Sequence, residues 1–146
     1  MNKILLIGKG RLAKQVISLC KDYDFICFDE NNINELDQYT GNLLLDCSSY
    51  KAFPHIYNYL LKNPLPTIIC STNHSKEDEI KINSLSCLMP IIKCENFSLG
   101  MNLLFNFFKI NSKSLKNYDS YILDVHHKNK KDTPSGTSKK INSLID

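Results

Sequence analysis

Short apolar runs of the length of a β-strand alternate along this chain with longer segments whose apolar residues recur at helical spacing. The short runs are apolar throughout, which is typical of strands that are buried on both faces of a sheet. Strands of this kind, separated by helices, predict an α/β fold with a parallel sheet and helices on both of its faces. The predicted strands are residues 4–7, 25–28, 43–46, 67–70 and 90–94, and the predicted helices are residues 12–20, 53–62 and 76–85.

The pattern changes after Cys94. We place a domain boundary at Asn96, which gives domains 1–96 and 97–146. Residues 98–108 form a long apolar segment that predicts a helix, and no strand–helix alternation follows it. Residues 118–125 alternate between apolar and polar and predict a strand. A final short helix is predicted to open at Ser135, after the turn signal of Pro134.

Composition restricts the functional classes. A formal net charge of +3 and 42% hydrophobic residues are ordinary for a globular protein and do not require nucleic acid as a partner. The six cysteines form no closely spaced pairs, so we expect core thiols, no metal site and a reducing cytoplasm. The apolar start of the chain is too short for a signal peptide or a membrane span, and we expect no membrane partner.

A glycine-rich loop follows the first predicted strand and opens the first helix. Residues 8–13 read Gly-Lys-Gly-Arg-Leu-Ala, a G-x-G-x-x-A pattern in the setting that gives it meaning. Gly8 allows a tight turn, Gly10 lets the backbone approach a pyrophosphate, and Ala13 permits close helix packing. The loop predicts a Rossmann-type dinucleotide-binding fold, although the two glycines could merely turn the chain.

Asp29 ends the second predicted strand, at roughly the twenty-residue spacing at which dinucleotide folds place a carboxylate on the adenosine ribose. A carboxylate there would bind the ribose hydroxyls and repel a 2′-phosphate, which favours NADH. Lys9 and Arg11 could still favour NADPH. The alternative is that Asp29 only forms a turn or caps a helix.

Residues 124–137 are the most specific stretch of the chain, with two histidines and several lysines ahead of a Ser-Gly-Thr turn at a predicted helix start. Backbone N–H groups, hydroxyls and cations could converge there on a small anion such as a polycarboxylate. A solvated basic loop and a phosphate or nucleic-acid patch remain alternatives. Adjacent strand residues point to opposite faces, so the strand must end or bend if His126 and His127 are to share one ligand.

Residues 126–137 fit the pattern His-His-x-x-Lys-x-Asp-x-Pro-Ser-Gly-Thr, which resembles the signature of the dihydrodipicolinate reductase family. The early glycine loop agrees with that family in order and spacing. So does the stretch Asn-Phe-Ser-Leu-Gly-Met-Asn at residues 96–102. The resemblance covers essentially the whole chain.

The resemblance implies a reductase that transfers a hydride from NADH or NADPH to an unsaturated cyclic dicarboxylate, giving tetrahydrodipicolinate in lysine and diaminopimelate biosynthesis. It makes His126 the catalytic proton donor or acceptor and Lys130 the second proton donor. His127, Gly136 and Thr137 would bind the substrate. The cofactor-binding residues would be Gly8, Gly10, Arg11, Leu12, Ala13 and Asp29, together with Cys70, Ser71, Thr72, Cys94, Glu95, Asn96 and Phe97.

Two departures from the family accompany the resemblance. The family's loop after the fourth strand usually contains glycine, whereas this chain has Cys-Ser-Thr-Asn-His at residues 70–74. We also expect only the beginning of an α+β substrate domain, because family members continue beyond the Ser-Gly-Thr helix. An active reductase, a homo-oligomer like the family's tetramer if that domain is complete enough, and a non-catalytic dinucleotide-binding module all stay open.

Overall fold

The computed structural model describes residues 2–94, 96–126, 128 and 134–145. The chain divides into two compact units, Met1–Cys94 and Glu95–Asp146. The sequence-based boundary between residues 96 and 97 falls close to this division.

The first unit is built on five parallel strands. They are β1 (Lys3–Ile7), β2 (Asp24–Phe28), β3 (Leu43–Asp46), β4 (Thr67–Ile69) and β5 (Ile91–Lys93). Their order across the sheet is β2-β1-β3-β4-β5, and each neighbouring pair is parallel. The predicted parallel α/β sheet is therefore confirmed, with every strand within two residues of its predicted bounds.

Helices cover both faces of this sheet. They are α1 (Arg11–Leu19), α2 (Phe53–Lys62) and α3 (Lys76–Ser86), and a 3-10 helix (Ile33–Gln38) joins β2 to β3. Successive residues of β1 pack on opposite faces, because side chains alternate along a strand. Ile4 and Leu6 pack with Ala13 of α1, whereas Leu5 packs with Ile56 of α2 and Leu85 of α3.

The second unit contains α4 (Leu99–Leu115) and α5 (Gly136–Ile145), which contact each other. α4 extends seven residues beyond the predicted end at Phe108. The predicted strand at residues 118–125 is wrong, because this segment forms no strand. A strand needs a partner for its backbone hydrogen bonds, and the described part of this unit contains no strand to pair with it. Several large apolar side chains of the unit are exposed, among them Leu103, Phe107 and Ile110.

Among the described residues, no helix is long and apolar enough to cross a membrane.

Candidate active site

Gly8 forms the tight turn after β1, and its position strongly disfavours any residue with a side chain. Its φ is +105°, which residues with a side chain rarely adopt. A Cβ at this position would lie 2.6 Å from the backbone oxygen of Cys47 on the neighbouring strand connection. The Gly8 N–H donates a hydrogen bond of 2.7 Å to the carbonyl of Phe28, which fixes the turn against the end of β2.

Gly10, in contrast, has ordinary backbone angles and open space around it. Its backbone is extended, with φ −75° and ψ −171°, and a Cβ built there would meet no atom within 4 Å. Gly10 is the N-cap of α1 and provides no side chain to bind the first amide groups of the helix. The start of α1 therefore presents N–H groups and a partial positive charge to open space, which suits a phosphate.

Of the other residues of the glycine motif, Ala13 packs against the sheet as predicted. Ala13 is 1% exposed and lies against Ile4, Leu6 and Leu45 of the sheet, so its small side chain lets α1 approach closely. Arg11 and Leu12, in the first turn of α1, are exposed.

Asp29 follows β2 and takes part in both a local turn and an ion pair. One of its carboxylate oxygens accepts a hydrogen bond of 2.9 Å from the N–H of Asn31, and the other lies 3.1 Å from Lys9 Nζ. The Asn31 N–H and then the Lys9 ammonium hold the pKa of Asp29 below its usual range. Asp29 is therefore ionised at neutral pH, and its carboxylate is half-buried at the rim of the cleft.

A cleft of about 490 Å³ joins these features. It is lined by Gly8, Lys9, Gly10, Asp29 and Glu30 on one side and by Cys47, Ser48, Ser49, Lys51 and His55 on the other. β1 lies between β2 and β3, so the cleft opens at the carboxyl ends of three adjacent strands, where α/β sheets bind ligands. An uncapped helix start beside an ionised carboxylate is an arrangement that suits a diphosphate attached to a ribose.

Asp46, at the end of β3, is fully buried and holds together the segments after β3 and β4. Its carboxylate accepts hydrogen bonds from the N–H of Ser48, at 3.0 Å, and from the hydroxyls of Ser48 and Ser71. Ser71 Oγ also lies 2.9 Å from His74 Nε2. A buried carboxylate requires such partners, and this network fixes Ser71 in the predicted cofactor-binding segment at residues 70–72.

The two cysteines at the ends of these strands also meet. Cys47 and Cys70 follow residues that are paired in register, and their thiols share a hydrogen bond. This bond and burial raise the pKa of Cys47, and the same bond lowers that of Cys70. The cysteine spacing does not indicate this contact, because the two residues follow different strands.

Residues 96–98 lead into α4, whose start at Leu99 agrees with the helix predicted from residue 98. Ser98 is the N-cap and its hydroxyl accepts a hydrogen bond of 3.4 Å from the N–H of Met101. Asn96 accepts a hydrogen bond of 2.8 Å from the N–H of Ser98, and the Asn102 side chain donates one of 2.8 Å to the carbonyl of Asn96. Phe97 is 50% exposed. Cys94 ends the first unit, and Glu95 lies outside the described residues.

The second unit brings His126 to the start of α5. The Nε2 atom of His126 contacts Asp124 Oδ1, and Asp124 Oδ2 accepts a hydrogen bond of 2.8 Å from the N–H of Ser135. The Ser135 N–H is the main cause of a lowered pKa at Asp124. Gly136 and Thr137 form the first turn of α5, and Gly136 has open space where a Cβ would stand. His127 and Lys130 lie outside the described residues.

Comparison with known proteins agrees with this geometry. Residues 100–146 match the family model described as "Dihydrodipicolinate reductase, C-terminus". A 4-hydroxy-tetrahydrodipicolinate reductase of Brachyspira hyodysenteriae is 30% identical over 98% of this chain and 62% of its own length. One of Clostridium novyi is 31% identical over 99% of this chain and 64% of its own length. The chain is similar to these reductases over nearly its whole length.

A solved structure has the same fold. The dipicolinate-bound dihydrodipicolinate reductase of Paenisporosarcina sp. TG-14 matches with a TM-score of 0.73 at 19% identity, over 99% of this chain and 65% of that chain. The chain spans about 62% of the length of the Brachyspira relative.

The loop after β4 lacks the glycine that the resemblance led us to expect, and its backbone explains how it forms without one. Asn73 adopts φ +64°, the left-handed conformation that glycine takes most easily and asparagine tolerates better than most residues. The turn can therefore form without a glycine.

Sequence reasoning missed several residues that the structure places at or beside these sites. Ser48, Lys51 and His55 line the cleft, and Asp46 and His74 hold the segment at residues 70–74. One signal was present in the sequence: Asp46 ends an apolar run, where a charged residue requires partners or a functional role.

Proposed function

We propose that this chain acts as a reductase that transfers a hydride from NADH or NADPH to 4-hydroxy-tetrahydrodipicolinate, or to the dihydrodipicolinate formed from it, giving tetrahydrodipicolinate. The observation that carries the proposal is the cleft in which the open loop at Gly10 and the ionised Asp29 lie side by side. The names of its relatives supply the substrate and the reaction class, a reduction of 4-hydroxy-tetrahydrodipicolinate. We propose lysine and diaminopimelate biosynthesis as the pathway, as the resemblance implies.

In this proposal residues 1–96 bind the cofactor. The N–H groups at the start of α1 hold the pyrophosphate beside Gly8 and Gly10, and Asp29 binds the hydroxyls of the adenosine ribose. Lys9, which lies 3.1 Å from Asp29, supplies a cation that a 2′-phosphate could use, so both cofactors are candidates. Residues 70–72 and 94–97 contact the nicotinamide half, which supplies the hydride when bound.

Residues 97–146 bind the substrate and move the proton. His126 donates or accepts a proton next to the substrate, and Lys130 is the second proton donor. His127 together with the N–H and hydroxyl groups of Gly136 and Thr137 binds the substrate carboxylates, because a helix start favours anions. The contact of His126 with Asp124, beside the start of α5, supports this assignment.

We further propose that the protein works in the cytoplasm and that its partners are the small cyclic dicarboxylate and further copies of itself. A bound metal ion is not part of the proposed reaction.

A coupled assay tests this function. Freshly generated substrate is supplied, and the absorbance of NADH or NADPH is followed with the wild type and with His126→Ala, Lys130→Ala and Lys128→Ala. We expect oxidation of at least one cofactor, at rates reduced on the order of 100-fold or more in the first two variants, as expected for loss of a proton donor. Lys128→Ala is the matched control, because Lys128 occupies a variable position of the motif.

Cofactor binding without turnover by the wild type would instead favour a non-catalytic dinucleotide-binding module. Wild-type rates in His126→Ala and Lys130→Ala would contradict the assignment of the proton donors.

A further inference from the structure

We propose that Asp124 is a positioning residue that orients the His126 imidazole and holds it beside the start of α5. The inference rests on the proposed function, in which His126 moves a proton. It adds a residue to which that function assigned no role.

The two carboxylate oxygens of Asp124 have different partners. Oδ1 contacts Nε2 of His126, whereas Oδ2 accepts the hydrogen bond of 2.8 Å from the N–H of Ser135. The carboxylate thus joins the segment of His126 to the segment of Ser135, which lies 11 residues after Asp124. The segments are the proposed proton donor and the proposed carboxylate-binding turn.

The α5 side of this bridge is firmly held. Ser135 is 6% exposed, and its hydroxyl accepts a hydrogen bond of 3.1 Å from the N–H of Ser138. The Ser135 carbonyl accepts the N–H of Lys139 at 3.0 Å, which begins the helical hydrogen bonds. Asp124 is therefore fixed at the helix end, where the helix dipole also favours its negative charge.

This anchoring determines which histidine nitrogen can react. The Asp124 side chain is 17% exposed and that of His126 is 32% exposed, so the contact between them is partly shielded from water. An ionised carboxylate accepts hydrogen bonds only, so neutral His126 carries its proton on Nε2 and donates it to Asp124. The other nitrogen, Nδ1, is then the one that exchanges a proton with the substrate, and Asp124 stabilises the imidazolium that forms. A carboxylate also orients the histidine of serine hydrolases, although there it holds Nδ1 and leaves Nε2 to react.

Nuclear magnetic resonance of protein labelled with ¹⁵N at histidine tests the orientation without requiring activity. At roughly pH 8, where an ordinary imidazole is neutral, we expect the ¹⁵N shifts of His126 to report the Nε2–H tautomer in the wild type. Asp124→Asn, which keeps the side-chain shape and an acceptor for Ser135, should increase the Nδ1–H tautomer. Asp119→Asn, at an exposed position of the same segment, should leave His126 unchanged. An Nδ1–H tautomer in the wild type, or an unchanged tautomer in Asp124→Asn, would overturn the proposal.

The coupled assay then tests the consequence for the reaction. We expect kcat of Asp124→Asn to fall on the order of 10- to 100-fold, part of the factor that a positioned proton donor contributes, while KM for the substrate stays within about twofold. A rise in KM with unchanged kcat would overturn the positioning role. A wild-type rate in His126→Ala would instead contradict the assignment of His126 as a proton donor. The tautomer measured by nuclear magnetic resonance would still decide whether Asp124 orients the ring.

Discussion

Gly8 and Gly10 lie two residues apart and are glycines for different reasons. Gly8 has a positive φ and packs against the backbone of Cys47, so the fold requires it. Gly10 has an ordinary φ and open surroundings, so the fold would accept a side chain there. The pattern predicts a tight turn at the first glycine and a close ligand approach at the second, and the structure confirms the turn at Gly8. We infer that a ligand, and not folding, requires Gly10.

Replacing Gly8 by alanine tests the first role. We expect Gly8→Ala to lower the free energy of unfolding by about 2 kcal/mol or more, because the new Cβ meets the Cys47 carbonyl at a φ that alanine disfavours. Urea unfolding followed by circular dichroism measures the change. Gly100→Ala, within α4, is the control and should be neutral or stabilising, since its Cβ would meet only Ser98 Oγ at 3.9 Å. Equal stability of Gly8→Ala and the wild type would contradict the predicted strain.

The helices and strands of the first unit were predictable because their signals are local. An apolar run of three to five residues buried on both faces, as in β1, needs no knowledge of its neighbours to be identified as a strand. The segment at residues 118–125 shows the limit of this approach, since its alternation suggested a strand that the described structure does not form. Whether an alternating segment becomes a strand depends on a partner, and the alternation itself carries no information about one.

The start of α3 shows how local side chains define a helix end. Ser75 accepts a hydrogen bond of 3.1 Å from the N–H of Asp78, and the Asp78 carboxylate accepts one of 3.2 Å from the N–H of Ser75. We expect Ser75→Ala to lower the free energy of unfolding by about 1 kcal/mol, the usual loss for an N-cap. Ser84→Ala, at an exposed position inside the same helix, should change it by less than about 0.5 kcal/mol. Thermal or urea unfolding compares the two variants, and equal effects would show that the cap does not stabilise α3.

At the scale of the whole molecule, the strand order determines the site. The sequence predicted parallel strands but not the order β2-β1-β3-β4-β5, because pairing is decided by packing across the entire sheet. Asp29, Gly8 and Cys47 follow β2, β1 and β3. Because these three strands are neighbours in the sheet, the three residues line one cleft. The strand order also brings Cys47 to Cys70 and Asp46 to Ser71, contacts that no sequence spacing reveals. The glycine loop and Asp29 could therefore be assigned from the sequence, whereas the residues that line the opposite side could not.

The measurement that tests the central claim most directly is a binding titration with NADH and with NADPH. Nicotinamide fluorescence reports binding, and the proteins compared are the wild type, Gly10→Val and Asn83→Val. A valine at position 10 meets no protein atom within 4 Å of its Cβ, so the fold should persist while the side chain fills the space for the pyrophosphate. We predict that the wild type and Asn83→Val, changed at an exposed position of α3, bind alike. Gly10→Val should bind at least about 10-fold more weakly, which corresponds to about 1.4 kcal/mol, with unchanged thermal unfolding. Equal affinity of Gly10→Val and the wild type would contradict a dinucleotide site at this loop.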